Sequence, residues 1–147
     1  MNARQLAEAH GIRTFVLVFS TGEAVTGPLL AFARERHIEA ASFTGIGAFE
    51  RVTLGYFDLE KRDYNRIEIN EQVEAVSLVG NVAGGDDGPK LHAHVVVGKR
   101  DGTAHGGHLI EGRVRPTLEI VLVETPAQLK RRSDPATGLA LIDLRSE

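Results

Sequence analysis

The sequence predicts a single domain of one helix and several strands, part of them an antiparallel meander, and three observations carry that expectation. One stretch alone has apolar residues at helical spacing, several short runs alternate with the two-residue period of strands, and the connections between them are short clusters of turn-forming residues. A chain of 147 residues is long enough for one domain with a substantial core, so the whole of 1–147 is expected to fold as one unit.

The first dense apolar run, 14–19, is rich in β-branched and aromatic side chains and reads as a buried strand. Residues 20–23 break it. A helix of about three turns follows over 28–37, starting near Val25 with Pro28 in its early part, because Leu29, Phe32, Ala33 and Arg36 recur at helical spacing. From Ile38 the period changes. Residues 40–47 are rich in small side chains, and Gly45 and Gly47 suggest tight packing against another backbone. Strands over 51–58 and 64–69, joined by a charged turn at 59–63, form an antiparallel meander. The next strand, 73–82, ends in the acidic loop 83–89, which reads as a solvated connection. The central run of 115–124 is again a buried strand. The tail 129–142 turns at 134–138 and is expected to pack back as a small hairpin, with Lys130, Arg131 and Arg132 forming a solvated face.

Between the loop and the last long strand lies the chain's strongest chemical signal. His92 and His94 alternate in an apolar run, which puts both imidazoles on one face of a strand, roughly 7 Å apart along the backbone. Asp101 and Gly102 suit a two-residue type I′ turn, so Arg100 is expected to pair with Thr103. That register sets His94 opposite Leu109 and turns His108 to the wrong face. An extra residue at Gly106 and Gly107 would restore His108 to the face of His92 and His94, and a β-bulge is therefore expected there. His105 falls opposite Gly98 in the unbulged register, roughly 13 Å from His94, too far to share the same ion. His92, His94 and His108 are thus the candidate metal ligands. Three neutral imidazoles without a thiolate suit Zn²⁺, with Fe, Ni, Cu or Mn as alternatives, and they leave one position open for a ligand.

Composition narrows the class further. The chain has no cysteine, so neither a disulfide framework nor a thiolate metal site is available. Its formal net charge is -3 with both signs interspersed, a poor footprint for gripping phosphates, so nucleic acid is not the expected partner. The first ten residues lack the apolar core of a signal peptide and no apolar run is long enough to span a bilayer, which makes a cytoplasmic protein with no membrane partner the expectation.

The ordered set Gly45-Ile46-Gly47-Ala48-Phe49, Ser77-Leu78-Val79-Gly80-Asn81, Leu91-His92-Ala93-His94, Gly106-Gly107-His108-Leu109, Gly112-Arg113-Val114 and Thr117-Leu118-Glu119 resembles the PPC domain, also called PCC, over about 13–142. The resemblance implies an α+β domain with a curved, mostly antiparallel sheet and a flanking helix, usually assembled as a homotrimer. It implies a metal site at His92, His94 and His108 with Glu119 nearby, as a proton carrier or an anchor for the site; a salt bridge on a strand face is the other reading of Glu119. Gly45 and Gly107 are the candidate pocket positions. Plant members of the family join this domain to AT-hook segments and act on DNA, but this chain has no such hook. The implied fold is also similar to that of acetolactate decarboxylase, whose zinc is held by three histidines, which makes a zinc-dependent lyase or hydrolase one candidate activity. Two classes of function follow: a metal-dependent small-molecule binder or enzyme, and a DNA-associated regulatory module with a structural metal. The sequence does not name the small molecule.

Overall fold

The computed structural model describes residues 1–144, so the last three positions of the expected 1–147 domain lie outside the described residues. Nine strands and one helix follow in the order β1 (Asn2–Ala9), β2 (Ile12–Ser20), α1 (Thr26–Glu35), β3 (Ala40–Asp58), β4 (Asp63–Ile69), β5 (Val73–Ala83), β6 (Lys90–Gly98), β7 (Ala104–Glu124), β8 (Lys130–Ser133) and β9 (Ala140–Asp143). Seven strands form one antiparallel sheet in the order β1-β2-β7-β6-β5-β3-β4, and β8 pairs with β9 in a separate hairpin. Strand β3 also pairs with β7, so β3, β5, β6 and β7 close a ring of pairings and the sheet curls strongly. The expected α+β class and curved antiparallel sheet are what the chain adopts.

The core fills the inside of this curl. Phe15, Leu17 and Phe19 alternate inward from β2, Leu118, Ile120 and Leu122 from β7, and Val95 and Val97 from β6, as the two-residue period requires. Helix α1 covers this face through Leu29, Phe32 and Ala33. Pro28 sits in its first turn, where a missing N–H costs no hydrogen bond. Phe32 meets Phe15 edge-on at 5.3 Å between ring centroids, and burying a ring of this size contributes roughly 1.5–3 kcal/mol. Helical geometry ends at Glu35, two residues before the expected end, with Arg36 as the cap.

Three features depart from the sequence reading. Strand β1 was not expected, because all eight of its residues are exposed and it carries no inward alternation. It reaches β2 through His10 and Gly11, both at positive φ (53° and 77°), a two-residue turn matched to strand twist. The expected strands 40–47 and 51–58 are one continuous β3, in which register shifts at Gly47 and Phe49 bend the strand without ending it. The histidine segment and 115–124 likewise join into the single long β7. No helix among the described residues is long and apolar enough to cross a membrane.

Candidate metal centre

The three histidines converge because β6 and β7 pair His94 directly with His108, while His92 lies one alternation further along the same face of β6. The expected route to this arrangement needs correcting. Gly106 and Gly107 pair regularly with Val96 and Val95, so no bulge lies there. The extra residue is in the turn: Gly102 donates to the Lys99 carbonyl (2.9 Å), Lys99 donates to the Thr103 carbonyl (2.8 Å), and Gly102 adopts φ +84°. This is a three-residue loop of a type I turn closed by a left-handed glycine, and it changes the parity of the whole hairpin. His105 consequently pairs with Val97, on the opposite face from His94, and is exposed.

One nitrogen from each of His92, His94 and His108 lies within 4.8 Å of the other two, and the Nε2 atoms of His92 and His94 are 3.2 Å apart. An ion bonded to nitrogen at about 2.0–2.1 Å in tetrahedral geometry sets ligand nitrogens roughly 3.4 Å apart, so small side-chain adjustments bring this set to binding geometry. The rings pack at 5.1, 5.3 and 5.5 Å between centroids. Tyr64 stacks on His108 at 4.6 Å and fixes its plane. The Nδ1 of His108 is buried with no hydrogen-bond partner among the described residues, an orphaned polar atom of the kind a bound group would satisfy. The residues present therefore fit a divalent ion of the zinc type.

The electrostatics favour the neutral, ligating form. Burial, reinforced by the neighbouring His92 and His94, lowers the pKa of His108 from 6.5 to about 4. Burial also lowers that of His92, helped by the Arg131 guanidinium and by His94. In metal-free protein, the unfolded chain takes up a proton at His108 between about pH 6.5 and 4 that the folded chain refuses. Stability contributed by neutral His108 is therefore full above 6.5 and lost as pH falls through that window. Urea midpoints measured across it are expected to fall more steeply in wild type than in His108→Gln. Equal slopes would contradict this account.

Two cavities flank the centre. The larger, about 600 Å³, opens between the first turn of α1 (Thr26, Gly27, Leu30) and Leu91, Tyr64 and His108. The smaller, about 220 Å³, lies between His92 and His108 and the β8–β9 hairpin. Gly45 and Gly107 are not among the residues that line these two cavities. Both are sites of close strand approach instead: a Cβ on Gly45 would lie 2.9 Å from the Glu119 carbonyl oxygen, and one on Gly107 2.9 Å from that of Gly55. Glu119 is also displaced from its expected place. It is exposed and pairs with Ile46 and Val18, and the route Ile46, Thr44, Val79, His94 crosses three inter-strand steps, roughly 14 Å. Within one subunit it does not touch the histidines.

Sequence reasoning missed Tyr64 and Arg131. Tyr64 opens an alternating strand and nothing local marks it as a partner of His108. Arg131, expected on a solvated face, is 8% exposed, and its Nη2 donates to Asn81 Oδ1 (2.6 Å) and its Nη1 to the Ala140 carbonyl (2.8 Å). The hairpin at 134–138 does form, with the Asp134 carboxylate accepting from Thr137 N and Oγ1.

Comparison with known proteins places this chain in a family. The plant- and prokaryote-conserved protein of Pyrococcus horikoshii is 36% identical, with a TM-score of 0.83 over 89% of this chain and 91% of that one. A metal-containing protein of Archaeoglobus fulgidus is 35% identical, with a TM-score of 0.81 over 88% of this chain and 91% of that one. A candidate DNA-binding protein of Bacteroides thetaiotaomicron is 26% identical, with a TM-score of 0.86 over 96% of both chains. A Staphylococcus aureus protein described as similar to alpha-acetolactate decarboxylase shares the fold alone, at 12% identity and a TM-score of 0.54 over 78% of this chain and 53% of that one. A search of curated proteins returned no match. The profile of the Plants and Prokaryotes Conserved (PCC) domain matches residues 6–126, the stretch that contains all three histidines, and the chain belongs to that family.

Proposed function

We propose that this chain binds one divalent metal ion, Zn²⁺ by preference, through His92, His94 and His108, and uses the site to bind or transform a small molecule. The observation that carries the reading is the convergence of three imidazoles with two of them held neutral, beside two cavities. When bound, such an ion supplies a Lewis acid with an open position that can polarise an oxygen of a ligand. The chain's own residues set the surroundings. Tyr64 holds His108 in plane, and burial keeps its phenol protonated beyond the ordinary range. Leu91 and Leu109 supply apolar walls to the larger cavity. Elemental analysis of protein purified without chelator tests the reading: about one equivalent of zinc or another first-row metal per chain is expected. A metal-free protein that also fails to take up zinc would overturn it.

We also propose that the chain assembles as a homotrimer. The outer face that carries His94 also exposes Ile46 (63%), Val76 (58%), Val79, Val96 and Val121, an apolar surface suited to burial between copies. Light scattering at micromolar concentration is expected to give three times the chain mass, and a monodisperse monomer would refute it.

The DNA-associated reading has one observation in its favour, the description of the Bacteroides neighbour. With a net charge of -3 the chain is expected to bind duplex DNA weakly at about 0.15 M salt. Fluorescence anisotropy across a salt series measures this, and submicromolar, salt-sensitive affinity would favour the DNA module with a structural metal.

A further inference from the structure

The smaller cavity has a lining that metal binding alone does not explain. Its polar rim is formed by Tyr64, Lys90, His92, His108 and Arg131, and among the described residues no carboxylate lines it. In a chain of net charge -3, this is a locally cationic pocket. Lys90 has a carboxylate neighbour in the exposed Asp87, at 3.8 Å. Arg131 has none: among the described residues its acceptors are the neutral oxygens of Asn81 and Ala140, and its buried Nε meets no partner. A guanidinium that is 8% exposed is costly to bury without a counter-charge.

The position of Arg131 is also built. Strand β8 pairs with β9, the Asp134 turn closes the hairpin, and the Asn81 side chain on β5 holds Nη2. Asn81 pairs with His92 across β5 and β6, so the residue that anchors the guanidinium lies directly beside a ligand histidine. The arginine lies on the β8–β9 hairpin, outside the family match at 6–126. Arg131 and His92 line the same cavity, so the guanidinium stands beside the histidine cluster.

We infer that the cleft between the histidine cluster and the β8–β9 hairpin is an anion subsite, in which Arg131 takes the carboxylate of a small organic acid whose second oxygen lies toward the ion. The guanidinium retains donors on Nε, Nη1 and Nη2 beyond those already used, the arrangement that matches a planar carboxylate. Lys90 at the mouth adds a second positive charge. The volume of about 220 Å³ admits a molecule of a few carbons. This subsite rests on the metal reading above for the placement of the second oxygen, while the contact with Arg131 stands without it.

Pyruvate and methyl pyruvate are suitable probes, because they share the carbonyl and differ in the charge. Isothermal titration of zinc-loaded wild type is expected to show pyruvate binding at least about tenfold tighter than the ester, since only the carboxylate can accept a charge-assisted hydrogen bond from the guanidinium. Arg131→Gln is expected to abolish that preference with zinc content unchanged. Should Arg131→Gln misfold, Arg131→Lys and the acid-to-ester ratio of wild type carry the test. Equal affinity for acid and ester, no pyruvate binding below about 10 mM, or tighter binding of inorganic phosphate than of pyruvate overturns the assignment. If the protein takes up no zinc, the metal reading fails by itself, and the same titrations on metal-free protein then decide the anion subsite.

Discussion

Replacing His92, His94 or His108 by alanine is expected to reduce the zinc content of purified protein to a small fraction of the wild-type value, whereas His105→Ala leaves it unchanged. A three-ligand site cannot lose an imidazole and keep its affinity, because water in the vacated position supplies neither the donor strength nor the fixed geometry. Metal dissociation constants are expected to rise by about two orders of magnitude or more in each of the three variants. His105 is the internal control. It shares the hairpin, the residue type and nearly the same position in sequence, yet it pairs with Val97 and faces away from the cluster. Elemental analysis of the five proteins separates the alternatives: equal content in all, or loss in His105→Ala alone, would mean that a different constellation binds the metal. The same series reports on stability. Removing His108 also removes the stacking partner of Tyr64, so circular dichroism is needed to confirm that each variant is folded before its metal content is compared.

The three-histidine group was legible in the sequence for a reason that does not extend to the way the hairpin assembles it. An alternating pair of histidines in an apolar run can only be one face of a strand, and His108 had to return to that face if it was to join them. The sequence reading placed a two-residue turn at Asp101 and Gly102 and a compensating bulge at Gly106 and Gly107. The structure has a three-residue loop and a regular pairing. Each alternative moves the register by one residue, so both put His108 opposite the same face. Local chemistry does not distinguish them, because glycine at positive φ serves either turn. The glycine-rich segments hid the continuity of β3 and β7 in the same way, since residues that commonly end strands here bend them. Strand β1 was invisible because it buries nothing. Arg131 was misread because its burial is decided by Asn81, fifty positions earlier on another strand, and no local period encodes such a contact. Glu119 was correctly placed on a strand, but within one subunit three inter-strand steps separate it from the histidines, and strand order is not encoded in any local pattern.

Gly47→Ala is expected to be the most damaging single methyl addition on the scaffold that supports this site. Gly47 lies where β3 shifts register against β5, between Gly45 and Gly47, while pairing on its other edge with Leu118 of β7. Its φ of +155° lies outside the range L side chains readily adopt, and a Cβ there would stand 2.3 Å from the Thr117 carbonyl oxygen and 2.6 Å from the Leu118 Cα. Both are backbone atoms of a strand paired on each edge, so neither can yield without opening the β3–β7 ladder. Gly22 provides the comparison. It too has a positive φ, +86°, but a Cβ would meet nothing within 4 Å, so Gly22→Ala incurs conformational strain alone, about 1–2 kcal/mol. With the clash added, Gly47→Ala is expected to cost about 3–5 kcal/mol, a large share of the roughly 5–15 kcal/mol by which a domain is stable. For a chain of this size that lowers the melting temperature by roughly 10 °C. Thermal unfolding followed by circular dichroism decides it, and a Gly47→Ala protein as stable as Gly22→Ala would show that the β3–β7 contact is looser than the pairing of these two strands requires.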